Sequence, residues 1–397
     1  MRSWRKKAAS GVINASGIAL ILPLKSWNNP PYPPFSKGGA GGFEKEGEGM
    51  KRLVSGNEAI FQGALRAGAT YFAGYPISPT SEILRQAAVH SEENPDFRFL
   101  QAEDEIAAAI ATISASLAGA KAFTATSGPG FSLMQEAIGW GHAVEAPCVF
   151  VNSMRVGPST GMPTQPAQSD LLQIKAGSAG DYYPIAFYPN SVEECFRLSV
   201  TAFNAAEESL SPLILLADAF LSHFYEVVDL EAIQVEVIPR TKEPLGKGTR
   251  LFTGISHDKI GNTRTSHPDI YREWLSELKE RHFQVAEKYP LYEYMPCSDD
   301  QTLLIGFGIT SRILLGLKER FSLFRPIRIF PILEKELKKI CASYRHIIVV
   351  EGSDGQYAGW VEWALGRKVL KVSCLGGGFK LQWIRDQIEE QLKGAGE

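Results

Sequence analysis

From Leu53 to about Asp218 the chain alternates helix-period segments with short apolar, β-branched runs, and this alternation restricts the fold more than any other feature. Pro147–Asn152 and Pro212–Ala217 are apolar almost throughout, as strands buried on both faces must be. Parallel neighbours of that kind need a helical crossover between them, so the expected fold class is α/β, a doubly wound parallel sheet with helices on both faces. Strands are expected at Thr70–Gly74, Phe97–Gln101 and Lys121–Thr126, and helices at Asn57–Arg66 and Glu105–Leu117.

The periodic pattern weakens between about Val227 and Ser298, where a polar, Gly-containing loop precedes a charged helix, Ile270–Lys288. A second, smaller α/β unit begins at Thr302, with a strand at Leu303–Gly306, a helix at Arg312–Phe321, and strands at Ile327–Phe330 and His346–Val350. The expected partition is therefore a main domain over 50–230, a connector over 231–300 and a small domain over 301–397. Residues 1–49 stand apart, because Asn28-Asn29-Pro30-Pro31 and the Gly-rich stretch Lys37–Phe43 have a composition that cannot bury a core. They are read as a disordered extension, translated from a start set too early, with a secretory signal as the weaker alternative.

Composition narrows the function. A net charge of −3 and the lack of a dense Lys/Arg run after the first seven residues argue against nucleic acid as a partner. The five cysteines, Cys148, Cys195, Cys297, Cys341 and Cys374, are odd in number and far apart, without the spacing that holds zinc or an iron-sulfur cluster. The expectation is a reduced, cytoplasmic protein that holds no metal and crosses no membrane.

Four segments carry chemistry. In Tyr75-Pro76-Ile77-Ser78-Pro79-Thr80, two prolines stiffen a turn that either caps the following helix or presents Ser78 to a carboxylate. In Gln101-Ala102-Glu103-Asp104-Glu105, three acids open an alanine-rich helix; they complement its dipole, or one of them is partly buried and transfers protons. Thr126-Ser127-Gly128-Pro129-Gly130 is a strand-to-helix turn that lets backbone approach a ligand, although it lacks the lysine and spacing of a phosphate loop. Arg155, just past a strand and before Gly157-Pro158-Ser159-Thr160-Gly161, is either a solvated surface cation or a bidentate clamp for a carboxylate.

In this order and spacing the four segments resemble the alpha-subunit family of 2-oxoacid:ferredoxin oxidoreductases, the pyruvate, 2-oxoglutarate and 2-oxoisovalerate enzymes. The resemblance runs from Val54 to about Asp229, with Ser55-Gly56-Asn57-Glu58-Ala59 among its most specific words, and resumes at Leu303 with Leu323-Phe324-Arg325-Pro326 and Val349-Val350-Glu351. It implies a thiamine-diphosphate pyrimidine-binding sheet followed by a transketolase C-terminal-like domain. By resemblance, Glu103 is the catalytic glutamate facing the aminopyrimidine ring, Ser78, Thr80 and Arg155 bind the substrate, and Tyr75, Pro76, Gly128 and Gly130 line the cofactor. Ser78 stands where the family usually has threonine, a departure that keeps the hydroxyl. The family's reaction is coenzyme A-dependent oxidative decarboxylation of a 2-oxoacid, 2-oxoglutarate being the first candidate, with electrons passed to ferredoxin. A beta subunit would carry the diphosphate and magnesium, and further gamma and ferredoxin-like subunits would carry iron-sulfur clusters.

Two rivals stay open at this level. A self-contained transketolase- or decarboxylase-like enzyme would need a Gly-Asp-Gly strand end with a downstream Asn, and neither Asp354-Gly355 nor Gly180-Asp181 sits in such a pair. A nucleotide-binding module on Gly306-Phe307-Gly308-Ile309-Thr310-Ser311 would lack its third glycine. His142 reads as a satisfied core histidine, and Trp140, Trp360 and Trp363 as packing or interface aromatics.

Overall fold

The computed structural model describes residues 51–247, 253–289, 291–298 and 301–395, all within one compact unit, Gly49–Glu397. The extension read as disordered, 1–49, lies outside the described residues. Fifteen strands are described: β1 (Arg52–Ser55), β2 (Tyr71–Gly74), β3 (Arg98–Gln101), β4 (Ala122–Thr126), β5 (Cys148–Val156), β6 (Met162–Pro166), β7 (Ala186–Phe187), β8 (Pro212–Asp218), β9 (Tyr225–Val228), β10 (Tyr292–Met295), β11 (Thr302–Ile305), β12 (Ser322–Pro326), β13 (Arg328–Phe330), β14 (His346–Glu351) and β15 (Leu370–Ser373).

The main sheet runs β13-β7-β8-β5-β4-β2-β3, with β6 added antiparallel to the far end of β5. From β7 to β3 every pairing is parallel, and β4 and β8 are buried along their whole length. Helices cover both faces. Gly56–Arg66 and Val192–Ser209 pack one apolar cluster against Phe72, Phe123 and Leu213; Glu105–Leu117 and Gln135–Ala143 pack a second against Phe150 and Ile214. This is the doubly wound arrangement expected from the alternating pattern. Ser55 caps the first helix by accepting from Glu58 N at 3.0 Å, and Asp104 caps Glu105–Leu117 by accepting from Ala107 N at 2.7 Å.

A second sheet, β10-β12-β11-β14-β15, is parallel except for β10, whose pairing with β12 is antiparallel. Its residues Leu303, Ile305, Phe307 and Val349 join the same core cluster as Phe150 and Ile214, so the two sheets share one interior.

Local details differ from the expectations. The helix expected at Arg312–Phe321 starts earlier, at Gly308, and ends at Leu314 with a single 3₁₀ turn, Leu315–Leu317. Gly316 lies there under Leu381, whose Cδ2 would be 3.0 Å from an added Cβ. The strand expected at Ile327–Phe330 is found as β13, Arg328–Phe330, but it pairs antiparallel with β7 of the first sheet, and a further strand, β12, precedes it in the second. His142 is buried as expected, but neither ring nitrogen has a partner among the described residues. Its ring centroid is 5.2 Å from that of His282, on the helix Pro268–Lys288.

Candidate functional site

Strand order locates the site. In the main sheet β3 lies on one side of β2 and β4 on the other, so the chain reverses its winding between β2 and β4. Ligands of open α/β sheets bind beyond the carboxyl ends of strands at such a reversal. The turn after β2 is Tyr75–Thr80, β4 runs through Ser127 directly into the short helix Gly128–Leu133, Glu103 follows β3, and Arg155 lies in the far end of β5. All four segments singled out in the sequence therefore meet at one end of one sheet.

Arg155 ties two of them together directly. Its Nη1 donates to Ser78 O at 2.6 Å, its Cγ would lie 3.9 Å from a Cβ added to Gly128, and the residue is only 6% exposed. Its Nε is buried without a partner among the described residues. Burial lowers the guanidinium's pKa, opposed by the charges of Asp170 and Glu105. The surface-cation alternative is thereby removed: Arg155 is a largely buried cation with donor capacity in reserve. Thr126 Oγ1 and Ser127 Oγ at the end of β4, Asn152 Oδ1 along β5 and Thr124 Oγ1 within β4 are also buried without a partner among the described residues. Unpaired polar atoms are uncommon inside a native fold, and here several gather at one strand-end cluster.

The proline turn is closed from within. Thr80 is buried, and both its N–H, at 3.0 Å, and its Oγ1, at 3.1 Å, donate to Ile77 O. Tyr75, Pro76 and Ser78 are exposed. Ala102 N donates to Gly74 O at 2.9 Å, which seats the exposed Glu103 alongside the start of that turn. Of the three acids, Asp104 is the helix cap and Glu105 is the buried one, at 6% exposure. A Cβ on Gly130 would meet Thr126 Oγ1 at 2.2 Å and Glu105 Oε1 at 2.6 Å, so its missing side chain makes room for these two. Gly128, at φ +28°, takes a backbone angle that residues with a side chain seldom adopt.

Sequence reasoning missed Asp170 and Gln168, which lie in the polar stretch Thr164–Asp170 beyond the glycine loop. Asp170 accepts from Asn152 Nδ2 at 3.0 Å; burial raises its pKa, and that bond and the charge of Arg155 oppose the rise. Gln168, fully buried, donates through Nε2 to Phe307 O at 2.6 Å and accepts from Gly352 N at 2.7 Å. It thereby fills the reversal point of the second sheet, between β11 and β14. Glu351 accepts from Tyr357 N at 3.0 Å and Ala358 N at 2.9 Å at the start of Gln356–Leu365, and Tyr188 covers Gly308, with Cζ 2.4 Å from an added Cβ. Gln168 and Tyr188 thus fill the space beside the segment 306–311, which speaks against the nucleotide-module reading.

No group of three or more His, Cys, Asp or Glu side chains suited to a metal occurs among the described residues, and no described helix is long and apolar enough to cross a membrane.

The family described as pyruvate flavodoxin/ferredoxin oxidoreductase, thiamine diphosphate-binding, matches residues 62–295. The 2-oxoglutarate synthase subunit KorA of Methanothermobacter marburgensis is 36% identical over 333 residues, 77% of this chain and 88% of that protein. The ketoisovalerate oxidoreductase subunit VorB of the same organism is 34% identical, over 87% of this chain and 98% of that one. Among solved structures, the 2-oxoglutarate:ferredoxin oxidoreductase of Magnetococcus marinus, with 2-oxoglutarate, coenzyme A and succinyl-CoA bound, superposes with a TM-score of 0.80 at 26% identity. That match covers 86% of this chain and 65% of the solved chain, so this chain spans slightly less than two thirds of that structure's length.

Proposed function

Because the chain belongs to the 2-oxoacid:ferredoxin oxidoreductase subunit family and carries its thiamine-diphosphate-binding domain, we propose that it is the alpha subunit of an enzyme that oxidatively decarboxylates a 2-oxoacid, 2-oxoglutarate first among candidates. Coenzyme A takes the acyl group, carbon dioxide leaves, and two electrons pass singly to ferredoxin through clusters on partner subunits. The observation that carries this reading is the buried Arg155 at the winding reversal, bonded to Ser78 O and holding donors in reserve.

The residues present fit one half of thiamine diphosphate. Glu103 lies exposed at the end of β3, near the exposed Tyr75, Leu100 and Ile106, a carboxylate with apolar neighbours suited to an aromatic ring that also accepts a proton. In this reading a beta subunit supplies magnesium and the diphosphate grip. When bound, the cofactor supplies a carbon nucleophile and an electron sink for the 2-oxo carbon.

This chain's own part is proton control and orientation. Glu103 holds or accepts the proton of the aminopyrimidine ring. Arg155 pairs with the substrate carboxylate, a charge-assisted contact that burial strengthens. Ser78 donates its hydroxyl to the same carboxylate or the adjoining oxo group, Thr80 keeps the turn closed, and Tyr75, Pro76, Gly128 and Gly130 wall the cofactor. The test is coenzyme A-dependent dye reduction by the assembled enzyme with a panel of 2-oxoacids. Turnover of 2-oxoglutarate above the branched and short acids is expected, and inertness toward every 2-oxoacid would refute the assignment.

A further inference from the structure

The turn that bears Ser78 is held by a residue that plays no part in the mechanism above. Asn57, the second residue of the helix Gly56–Arg66, is fully buried, and its Nδ2 donates to Pro79 O at 2.9 Å. The carbonyl one residue earlier, Ser78 O, is the one that Arg155 Nη1 reaches at 2.6 Å. Consecutive carbonyls on the two sides of Pro79 are thus gripped by two elements far apart in sequence, while the Ser78 side chain is left exposed.

Asn57 is itself firmly seated. A Cβ on Gly56 would lie 2.0 Å from Leu221 O, and Gly56 N donates to Phe224 O at 3.1 Å, so the helix start presses against that backbone. Ser55, the cap of the same helix, also donates to Glu82 Oε2 at 3.0 Å and so links it to the helix that follows the turn. Packing alone does not call for an amide here. Asn57 Oδ1 is buried without a partner among the described residues, whereas an apolar side chain of similar size would leave no polar atom unpaired. What the amide adds is a donor aimed at one carbonyl.

We propose that Asn57 is a positioning residue: by holding the Pro79 carbonyl it fixes the Ser78 hydroxyl beside Arg155, where the carboxylate of the 2-oxoacid is received. The inference rests on the reading of Ser78 and Arg155 given above. A displaced reacting partner costs up to about a hundredfold per ångström, and a contact made equally in the ground and transition states appears in KM.

A double-mutant cycle on the assembled enzyme tests it, with Asn57→Leu, Ser78→Ala and the pair compared with wild type. Wild type that turns over no 2-oxoacid rejects the functional reading itself, before Asn57 is considered. With active wild type, Asn57→Leu is expected to raise KM for the 2-oxoacid roughly 10- to 100-fold with kcat within about threefold, and to change KM less than about twofold when Ser78 is already alanine. Equal losses in both backgrounds, or unchanged KM in Asn57→Leu, would overturn the proposal. Asn57→Asp, which keeps the size but cannot donate in its ionised form, is expected to behave like Asn57→Leu. Failure of both variants to assemble would also overturn it, since a purely structural role then suffices.

Discussion

At the scale of single residues, the catalytic assignment separates three acids that composition treats alike. Glu103→Gln keeps shape and a hydrogen bond but removes the acid, so turnover of the assembled enzyme should fall about 10²- to 10⁴-fold while cofactor binding weakens only modestly. Asp104→Asn retains an oxygen for Ala107 N and should leave steady-state turnover within a few-fold; Asp104→Ala should instead lower stability by about 1 kcal/mol. A loss centred on Asp104 or Glu105 would reassign the role. These residues were legible in the sequence because strand ends followed by helix starts are visible as changes of period. Which acid is buried was not, since that depends on Thr126 from another strand and Gly130 from the helix after it. Asn57 could be quoted as part of a motif, but its partner is 22 residues away and only the fold brings Pro79 O to it.

Among elements, the helix Pro268–Lys288 was easily read from its charge pattern, yet its most informative residue was not. His282 docks on Tyr183 O and lies beside His142, and burial pushes its pKa down to about 4 and also lowers that of His142. An unfolded histidine titrates near 6.5, so between about pH 6.5 and 4 the unfolded chain binds protons that the folded chain refuses. Stability therefore rises with pH across that window and is lost on acidification. From His282 alone, moving from pH 7 to 5 should cost about 2 kcal/mol. Urea titrations at the two pH values check this, and His282→Asn, which keeps a donor for Tyr183 O, should flatten the difference. An unchanged difference in that variant would place the acid sensitivity elsewhere. The second sheet was the least legible region, because β12 was not read as a strand and only tertiary pairing shows that β12 and β13 belong to different sheets.

For the whole molecule, the expectation is dependence on partners. The chain purified alone should bind thiamine diphosphate weakly and reduce no viologen dye with any 2-oxoacid; dye reduction by the lone chain would refute the shared-site reading. Within the chain, Gln168 is one polar tie between the sheets, beside the Arg325–Glu194 ion pair and the Asn190–Ser311 bond. Gln168→Ala would strand the buried Gly352 N–H, while the Phe307 carbonyl keeps the Thr310 hydroxyl at 2.8 Å, lowering unfolding free energy in urea by about 1 to 3 kcal/mol. An unchanged midpoint would show that the shared core and the remaining ties, the β13–β7 pairing among them, suffice to hold the sheets together. The pairing of β13 with β7 has a further consequence for anyone who would cut the chain in two. A fragment ending before Thr302 would carry the Ala186-Phe187 edge uncapped, and the complementary fragment would hold a strand with no sheet to join. Such halves would not behave as independent modules. Mixed together they should reassemble, and an intact chain forced open at this seam would be prone to trade β13 with a neighbour, a domain swap with its hinge near Pro326.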